Sequence, residues 1–468
     1  MLCAVVAREG FGDIAVQFGF GLSAVTSLRM LAQRPLLNPV QSFVLIVYVW
    51  FGFGPCTMYL WSTCVSPSRQ PMANELAASS PAAALAALGL PLYAVCANLV
   101  MSWLDASRTL QTGYSLGNRR EQPKVLFIAA AVWFAAELAQ MLLVARGDTS
   151  GTFESVGMLG GLRVQSWWLG IVLACQAIGP WLLSALIWFI VQPRSRRPEG
   201  TELIALPVVI FIVIAAVIGG WKSPLAKLVA VYSIAWTCRR QRPPWLLAAV
   251  FIVIFILLII PFVRVGRLEA ESMGADSGMR QSIFLDLAQR PAEWVGRLDV
   301  VDISELFRGI SWVGSEAIRR SDLLEGPWGA QTFLWAMEVV VPRPLLPEKR
   351  DMNIGNFVAQ EIGVDLGLST YADKTNSIAV FIPCEICASF GWFAGWLSFG
   401  LIGAAWAYVS CAVLGSRSLA NHPFCPMLVM LPLAMEGNIG HFLPLIRNLI
   451  FGLVVLMAIK TLVRRTVS

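Results

Sequence analysis

The chain has 468 residues, of which 57% are hydrophobic and only 14% are charged. Soluble domains carry about 25% charged residues, so this depletion excludes an ordinary soluble protein and indicates that lipid surrounds most of the chain. The 18 Trp and 25 Phe agree with this, because aromatic rings are favoured at the membrane interface. The net charge of +6 does not by itself indicate nucleic-acid binding, since its meaning depends on where the charges lie.

A helix needs about 20 apolar residues to cross the hydrocarbon core of a bilayer. The apolar segments predict an all-α polytopic membrane protein with about 11 transmembrane helices. The first segment is rich in glycine and is interrupted by Gln17, and two others are short, as is typical of tilted, re-entrant or buried helices. In chain order the segments are 11–30, 42–62, 82–104, 125–145, 168–192, 203–220, 223–237, 244–262, 390–414, 424–436 and 443–462.

Basic residues predict the orientation of these helices, because cytoplasmic loops are enriched in Lys and Arg. Four clusters follow alternate predicted spans, as one consistent topology requires. They place the C-terminus inside and, with eleven spans, the N-terminus outside. The clusters are Arg108, Arg119, Arg120 and Lys124; Arg194, Arg196 and Arg197; Arg239, Arg240 and Arg242; and Arg464 and Arg465.

The segment 263–377 then lies on the extracytoplasmic side. It holds 17 of the 29 acidic and 12 of the 35 basic residues, so its net charge is −5 while that of the remainder is +11. A loop of this length is uncommon without a function, and its apolar pattern predicts a small, partly helical subdomain on the membrane, with an interfacial helix over 328–341. We therefore divide one membrane domain into N-terminal helices (1–262), this loop (263–377) and C-terminal helices (378–468).

Cationic residues at the edges of this loop are the first functional candidates. Lys222 follows two glycines at the outer end of a span, where it could hold a phosphate or, alternatively, mark the interface as a snorkelling lysine. Arg343 and Lys349 lie in a proline-rich segment whose stiff backbone suits a diphosphate, although a basic turn against lipid headgroups has the same composition. Arg267 lies in a further arginine-containing stretch, which is either an anion site or a solvated surface.

Two residues near the return into the membrane are candidates for proton transfer. Glu385 is a lone carboxylate in an apolar stretch, which suits a general base or a structural carboxylate paired with an arginine. His441 is predicted at the outer face and is the second candidate base, with a structural histidine as the alternative. Arg447 could orient either group.

The chain contains one CxxC, formed by Cys384 and Cys387. A zinc site needs a second pair of ligands, so packing inside the membrane is the favoured interpretation and no metal or other cofactor is predicted. The sequence also lacks a Walker A motif, HExxH and G-x-S-x-G, so ATP-driven transport by this chain is not predicted.

In three regions the sequence resembles the Wzy-type oligosaccharide repeat-unit polymerases of bacterial O-antigen and exopolysaccharide synthesis. The second and third regions are similar to the family's PR-x-L-x-P-x-K segment and GE-x-Y-x-N-F-G-W-x-G helix. In the third, Cys384 replaces Gly, Cys387 replaces Tyr and Ser389 replaces Asn. The resemblance covers about 219–403, while the first 200 residues match in hydropathy alone. The regions are Gly220-Trp221-Lys222-Ser223-Pro224; Pro342-Arg343 to Pro347-Glu348-Lys349; and Pro383-Cys384-Glu385 to Phe390-Gly391-Trp392, followed by 396–403.

This resemblance implies a GT-C-type membrane glycosyltransferase on the periplasmic face of the bacterial inner membrane. It implies a metal-independent, inverting reaction that transfers a polyprenyl-diphosphate-linked glycan (undecaprenyl diphosphate in this family) onto another lipid-linked repeat unit. The implied partners are this substrate, membrane lipid, a chain-length regulator and a flippase, without nucleic acid. Glu385 is then the first choice of base and His441 the second. The cations assigned to the diphosphate are Arg343, Lys349, Arg267, Lys222 and Arg447.

Two other functions compete with a polymerase. An O-antigen ligase shares the topology, the donor and the outer loop and differs in its acceptor. A lipid-linked glycan flippase or transporter should carry charges along a pathway through many spans, whereas here the charges concentrate at the outer face. A non-catalytic scaffold gives no reason to hold Arg, Lys and Glu at the bases of a loop.

Overall fold

All regular secondary structure that the computed structural model describes is helical, which confirms the prediction of an all-α fold. Eight of the described helical stretches are long and apolar enough to cross a membrane, as expected of a multi-pass membrane protein. The structure describes residues 2–32, 37–56, 75–107, 114–118, 120–145, 167–219, 222–273, 277–295, 310–320, 338, 380–415, 419–436 and 439–467.

The helices are numbered here in chain order. Short π-helical turns extend α2 over Val49–Phe53 and join α9 to α10 over Phe255–Ile259, and a 3₁₀ turn over Leu431–Glu436 follows α14. The α-helices are α1 (Leu2–Met30), α2 (Pro39–Tyr48), α3 (Glu75–Ala106), α4 (Gln122–Ala145), α5 (Trp167–Gln176), α6 (Gly179–Val191), α7 (Thr201–Gly219), α8 (Lys222–Arg240), α9 (Trp245–Ile254), α10 (Ile260–Ser272), α11 (Ser277–Gln289), α12 (Ile310–Arg319), α13 (Ile382–Leu414), α14 (Cys425–Met430) and α15 (Ile439–Val467).

Eight of the eleven predicted segments coincide with the candidate membrane spans. The other three are also helical: 11–30 lies in α1, 223–237 lies in α8, and 424–436 forms α14 with its 3₁₀ turn. The last of these is a short apolar helix whose residues are mostly buried by neighbouring helices, which is one of the three outcomes expected for it. The number of eleven spans stays a prediction.

The predicted basic clusters come together at one end of the bundle, here called the basic end. Arg464, near the end of α15, lies 3.9 Å from the carboxylate of Glu121, which immediately precedes α4. The backbone carbonyl of Tyr114, shortly before Glu121, is hydrogen-bonded to the ring of His422, in the turn that precedes α14. The start of α4, the start of α14 and the end of α15 therefore share this end.

Two further contacts place the remaining basic clusters at the same end. The Ser184 hydroxyl of α6 donates to the carbonyl of Pro423 at 2.8 Å. Ser184 lies two turns before the end of α6, and the second basic cluster, Arg194 to Arg197, follows that end. The Sγ atoms of Cys238, near the end of α8, and Cys425, at the start of α14, lie 3.9 Å apart. The helices thus alternate in direction in the way that the distribution of Lys and Arg predicts.

Helix α3 lies at the centre of the larger hydrophobic core, between α1, α12 and α13. Glycines allow the close contact with α13: a Cβ at Gly403 would lie 2.4 Å from the carbonyl oxygen of Tyr93, and one at Gly89 would lie 2.2 Å from the Phe399 ring. Small residues at such contacts are typical of helix pairs in membranes. The Phe43 ring of α2 stacks on Tyr93 with centroids 4.5 Å apart.

The described parts of the predicted loop 263–377 pack on the bundle. Helix α12 contributes Val313, Ala317 and Ile318 to the larger core, and its Ser315 hydroxyl accepts a hydrogen bond from the backbone N–H of Ala82 at 3.0 Å. Of the predicted interfacial helix 328–341, only Glu338 is among the described residues, and it is helical. Helices α10 and α11 form a second, smaller core that consists of Phe262, Val263, Phe284 and Leu287.

Candidate functional site

Helix α13 folds back on itself at Gly391, where φ is 84° and ψ is 173°. Residues 382–390, here called the return arm, pack against residues 392–414, here called the long arm. The ring centroids of Phe381 and Phe399 lie 6.2 Å apart, whereas a straight helix would separate these residues by about 27 Å. Glycine alone adopts this backbone conformation without strain, so Gly391 determines where the chain reverses. The long arm agrees with the predicted span 390–414.

The two arms touch through small residues. A Cβ at Gly395 of the long arm would lie 2.6 Å from the Cβ of Cys387 and 3.2 Å from the carbonyl oxygen of Pro383. Cys384 contacts α12, since a Cβ at Gly314 would lie 3.0 Å from its Sγ. Both cysteines are buried and free, and in the described part of the chain no group of three His, Cys, Asp or Glu side chains could hold a metal ion. Cys384 and Cys387 thus pack against glycines of α12 and of the long arm.

Glu385 joins the return arm to the start of α15. Its side chain is fully buried, and Oε2 accepts a hydrogen bond from the backbone N–H of Ile439 at 2.8 Å. The first N–H groups of a helix have no partner inside the helix, and this end carries the positive end of the helix dipole, so a carboxylate is stabilised there. Among the described residues, the partner of Glu385 is thus the N-terminus of a helix and not an arginine.

One face of the return arm carries two oxygen atoms without hydrogen-bond partners among the described residues. These are Oε1 of Glu385 and Oγ of Ser389, which lies four residues later and hence on the same helical face. A buried oxygen without a partner is costly, so such atoms mark places that a ligand or a water can complete. Ser389 was noticed in the sequence only as a departure from a family motif.

The second candidate base, His441, and the orienting candidate, Arg447, both lie on α15. His441 is two residues after Ile439, so its backbone lies beside Glu385, while its side chain is outside the described residues. Arg447 lies eight residues after Ile439, about 12 Å further along the helix axis. Its Nε donates to Oδ1 of Asn448 at 3.2 Å. The structure therefore places the backbone of His441 near Glu385 in space, and it places Arg447 further along the same helix.

The predicted diphosphate-binding cations are only partly described. Lys222 is the first residue of α8 and Arg267 lies in the last part of α10, and their side chains are outside the described residues. Because α8 ends at the basic end, Lys222 lies at the opposite end of the bundle. Val217, near the end of α7, packs against the Phe262 cluster of α10, which places Arg267 there too. Arg343 and Lys349 lie outside the described residues.

A second polar cluster lies inside the bundle and was not found from the sequence. Glu137 and Gln140 of α4 and Gln176 of α5 are all buried, and the Gln176 amide donates to both of the others. The available signal was the carboxylate of Glu137 within the predicted span 125–145, because ionisable residues at membrane depth are rare and often functional.

The geometry around Glu385 permits one chemical role and one structural role. Oε2 is held by the helix start, which fixes the direction of the carboxylate, and the buried Oε1 has no hydrogen-bond partner among the described residues, so it could accept a proton from a hydroxyl group brought into contact with it. Without a ligand, the same contact serves to cap α15. The return arm, Ser389 and the N-terminus of α15 form the candidate site in either case.

No protein-family model, no curated protein and no solved structure matches this chain. The interpretation of the site therefore depends on its own geometry and on the sequence motifs.

Proposed function

We propose that this protein lengthens a glycan carried on a polyprenyl diphosphate in a bacterial inner membrane. The observation that carries the proposal is Glu385, a fully buried carboxylate whose Oε2 is held at 2.8 Å by a helix N-terminus and whose Oε1 has no hydrogen-bond partner among the described residues. It lies in the sequence segment that resembles the polymerase motif, and Gly391 of that motif sits at the reversal of α13. The multi-pass helical fold supports a substrate with a long lipid tail.

The proposed reaction assigns a balanced role to each group. The hydroxyl at the non-reducing end of the acceptor attacks the anomeric carbon of the donor, its proton moves to Oε1 of Glu385, and the bond from this carbon to the diphosphate oxygen breaks. The diphosphate leaves as an anion, which Arg343, Lys349, Arg267, Lys222 and Arg447 are proposed to neutralise. Such a leaving group needs cations rather than a general acid. His441 is the alternative base.

The distribution of charge supports an outward-facing site. The basic clusters gather at the basic end, which the preference of Lys and Arg for cytoplasmic loops assigns to the cytoplasm. Ile439 begins α15 at the other end, so Glu385 lies toward the periplasm in this orientation. The acidic segment 263–377 leaves the bundle at the same end and is proposed to shape the sugar sites.

Deletion of the gene in its host tests the proposal, with the lipid-linked and surface glycans separated by size. We expect single repeat units to reach the periplasmic face and to stay unextended. Full-length polymer that remains on the lipid carrier would identify a ligase, and repeat units retained inside would identify a flippase. Either result overturns the polymerase.

Complementation of the deletion then tests the residues. Arg343→Ala and Glu385→Gln should abolish lengthening while the protein accumulates in the membrane as the wild type does. Arg29→Ala, at the basic end of α1, is the control for loss of a cation and should restore lengthening. Full lengthening by Arg343→Ala or Glu385→Gln would remove that residue from the mechanism.

A further inference from the structure

The apolar stretch Ile171–Val191 is a broken helix. Helices α5 and α6 are separated at Ala177 and Ile178, where the chain forms a turn instead of a continuous helix. Pro180 has no N–H, so the backbone carbonyl of Gln176 loses the donor that a regular helix would supply four residues later. Helix α15 packs into this break, because a Cβ at Gly452 would lie 2.1 Å from the carbonyl oxygen of Ala177.

Three polar side chains meet beside the break. The Gln176 amide donates to Oε2 of Glu137 at 3.2 Å and also to Oε1 of Gln140. The exposed fractions of Glu137, Gln140 and Gln176 are 5%, 6% and 7%. Oε1 of Gln176 has no hydrogen-bond partner among the described residues although it is buried. The NH₂ group of Gln176 therefore faces Glu137 and Gln140, and its oxygen lies on the other side of the amide. A half-turn of this amide directs the oxygen toward the other two residues and brings oxygen atoms of all three side chains together.

The charge of Glu137 is also uncompensated within the described residues. Its hydrogen bonds come from neutral side chains. In the helices packed against α4, which are α5, α6, α7 and α15, the described titratable side chains away from the basic end are Cys175 and Arg447, and neither forms a hydrogen bond or an ion pair with Glu137. A buried carboxylate without an opposite charge is strongly destabilising.

We propose that Glu137, Gln140 and Gln176 form a binding site for a monovalent cation, Na⁺ or H⁺, inside the membrane-spanning bundle. Carboxylate and amide oxygens are the ligands that hard cations prefer. Backbone carbonyls released at a helix break, such as that of Gln176, supply further oxygens in membrane proteins that bind Na⁺. One carboxylate matches one positive charge, so a monovalent cation leaves the site neutral where a divalent cation does not.

Cation binding at this site should affect helix α15. Helix α15 meets the break through Gly452 and meets Glu385 through the N–H of Ile439. A bound cation stabilises the break and thereby the helix that also forms the candidate catalytic site. The cation site itself stands on contacts separate from those of Glu385 and does not depend on the proposed glycan chemistry.

Thermal unfolding of the full chain tests the site. The protein is reconstituted in nanodiscs of phosphatidylethanolamine and phosphatidylglycerol, and Trp fluorescence is followed while NaCl replaces choline chloride at constant ionic strength, at pH 7 and pH 9. We expect Tm to rise saturably by about 3 °C with NaCl if Na⁺ is the ligand. A rise of similar size from pH 9 to pH 7 that is independent of NaCl identifies H⁺.

Matched variants assign the response to the cluster. Glu137→Gln should abolish it and, in choline at pH 9, should melt above the wild type because the uncompensated charge is removed. Glu121→Gln, which changes an equally buried carboxylate immediately before the same helix, should keep it. Gln176→Leu should weaken the apparent affinity for the cation about tenfold through the loss of one oxygen ligand. This variant replaces Glu137→Gln in the test if Glu137→Gln does not accumulate in the membrane.

Two results overturn the proposal. One is a wild-type Tm that responds neither to Na⁺ nor to pH between 7 and 9. The other is a response that both Glu137→Gln and Gln176→Leu retain unchanged.

Discussion

Glu385 and Glu137 are both carboxylates buried within the helical bundle, but the rest of the protein holds them in different ways. Glu385 accepts from the backbone N–H that starts α15, and its second oxygen is without a partner among the described residues. Glu137 accepts a hydrogen bond from the side-chain amide of Gln176 beside the break between α5 and α6.

This difference separates two uses of a buried charge. A helix N-terminus fixes the direction of a carboxylate and partly compensates its charge, which suits Glu385 to contact with a reacting group. The neutral amide of Gln176 orients Glu137 without compensating its charge, so a small cation is the group proposed to complete it. The two residues should therefore respond to different changes in the protein and the buffer.

The largest expected effect is on activity, from Glu385→Gln. Under the proposed reaction, loss of the general base should lower the rate of lengthening by about 100-fold or more. The amide oxygen of Gln can still accept from Ile439, so the response of Tm to Na⁺ or pH should survive. A reconstituted assay of glycan length and the melting experiment, made on one preparation, check both points. Loss of the cation response in this variant would show that the two carboxylates form one site.

Gly391→Ala should lower the free energy of unfolding by about 2 kcal/mol, because an L-residue at φ 84° and ψ 173° is strained. Space is not the reason, since nothing lies within 4 Å of a Cβ there. Gly21→Ala, at an equally open position inside α1, is the control and should be neutral or slightly stabilising. Equal stability of the two variants in denaturant titrations would contradict the reversal of α13 at Gly391.

His422 extends the contrast to a third, half-buried group at the basic end. Its Nδ1 accepts from the N–H of Phe424 at 3.2 Å, and burial lowers the pKa of His422 to about 4. Because folding lowers this pKa, the neutral His422 ring contributes stability that is fully present above the unfolded pKa of about 6.5 and is lost as pH falls toward 4. The free energy of unfolding should decrease by about 2 kcal/mol by pH 5. Melting curves from pH 7.5 to pH 5 should show the loss in the wild type. In His422→Ala the same curves should be flatter.

Ile439→Pro removes the hydrogen bond to Glu385 with little other change, because proline is tolerated in the first turn of a helix. We expect a loss of about 1 kcal/mol in unfolding free energy, since Oε2 of Glu385 is left without its donor. Ile439→Val keeps the N–H and should behave as the wild type. The measurement is the denaturant midpoint of both variants, and a wild-type midpoint for Ile439→Pro would argue against the contact.

Much of the fold follows from the sequence, because the lipid environment imposes its own pattern. Spans must be apolar over about 20 residues and satisfy their backbone groups internally, so their positions are visible as long apolar segments. Clusters of Lys and Arg prefer one side of the membrane, so the residues around Arg120 and Arg464 could be assigned to the same end before any contact was known. Even the start of the long arm of α13 agrees with the predicted span.

The hydrogen-bond partners of the candidate site residues could be identified only from the tertiary structure. Glu385 was identified as a lone carboxylate in an apolar stretch, but its contact with Ile439 joins residues far apart in the chain, and no local pattern encodes such a pair. The cluster of Glu137 and Gln176 was missed for the same reason. Hydropathy averages over a span, so it reports that a polar residue is present and not which helix supplies its hydrogen bond. Only packing decided that one carboxylate meets a helix N-terminus and the other meets amide side chains beside a helix break.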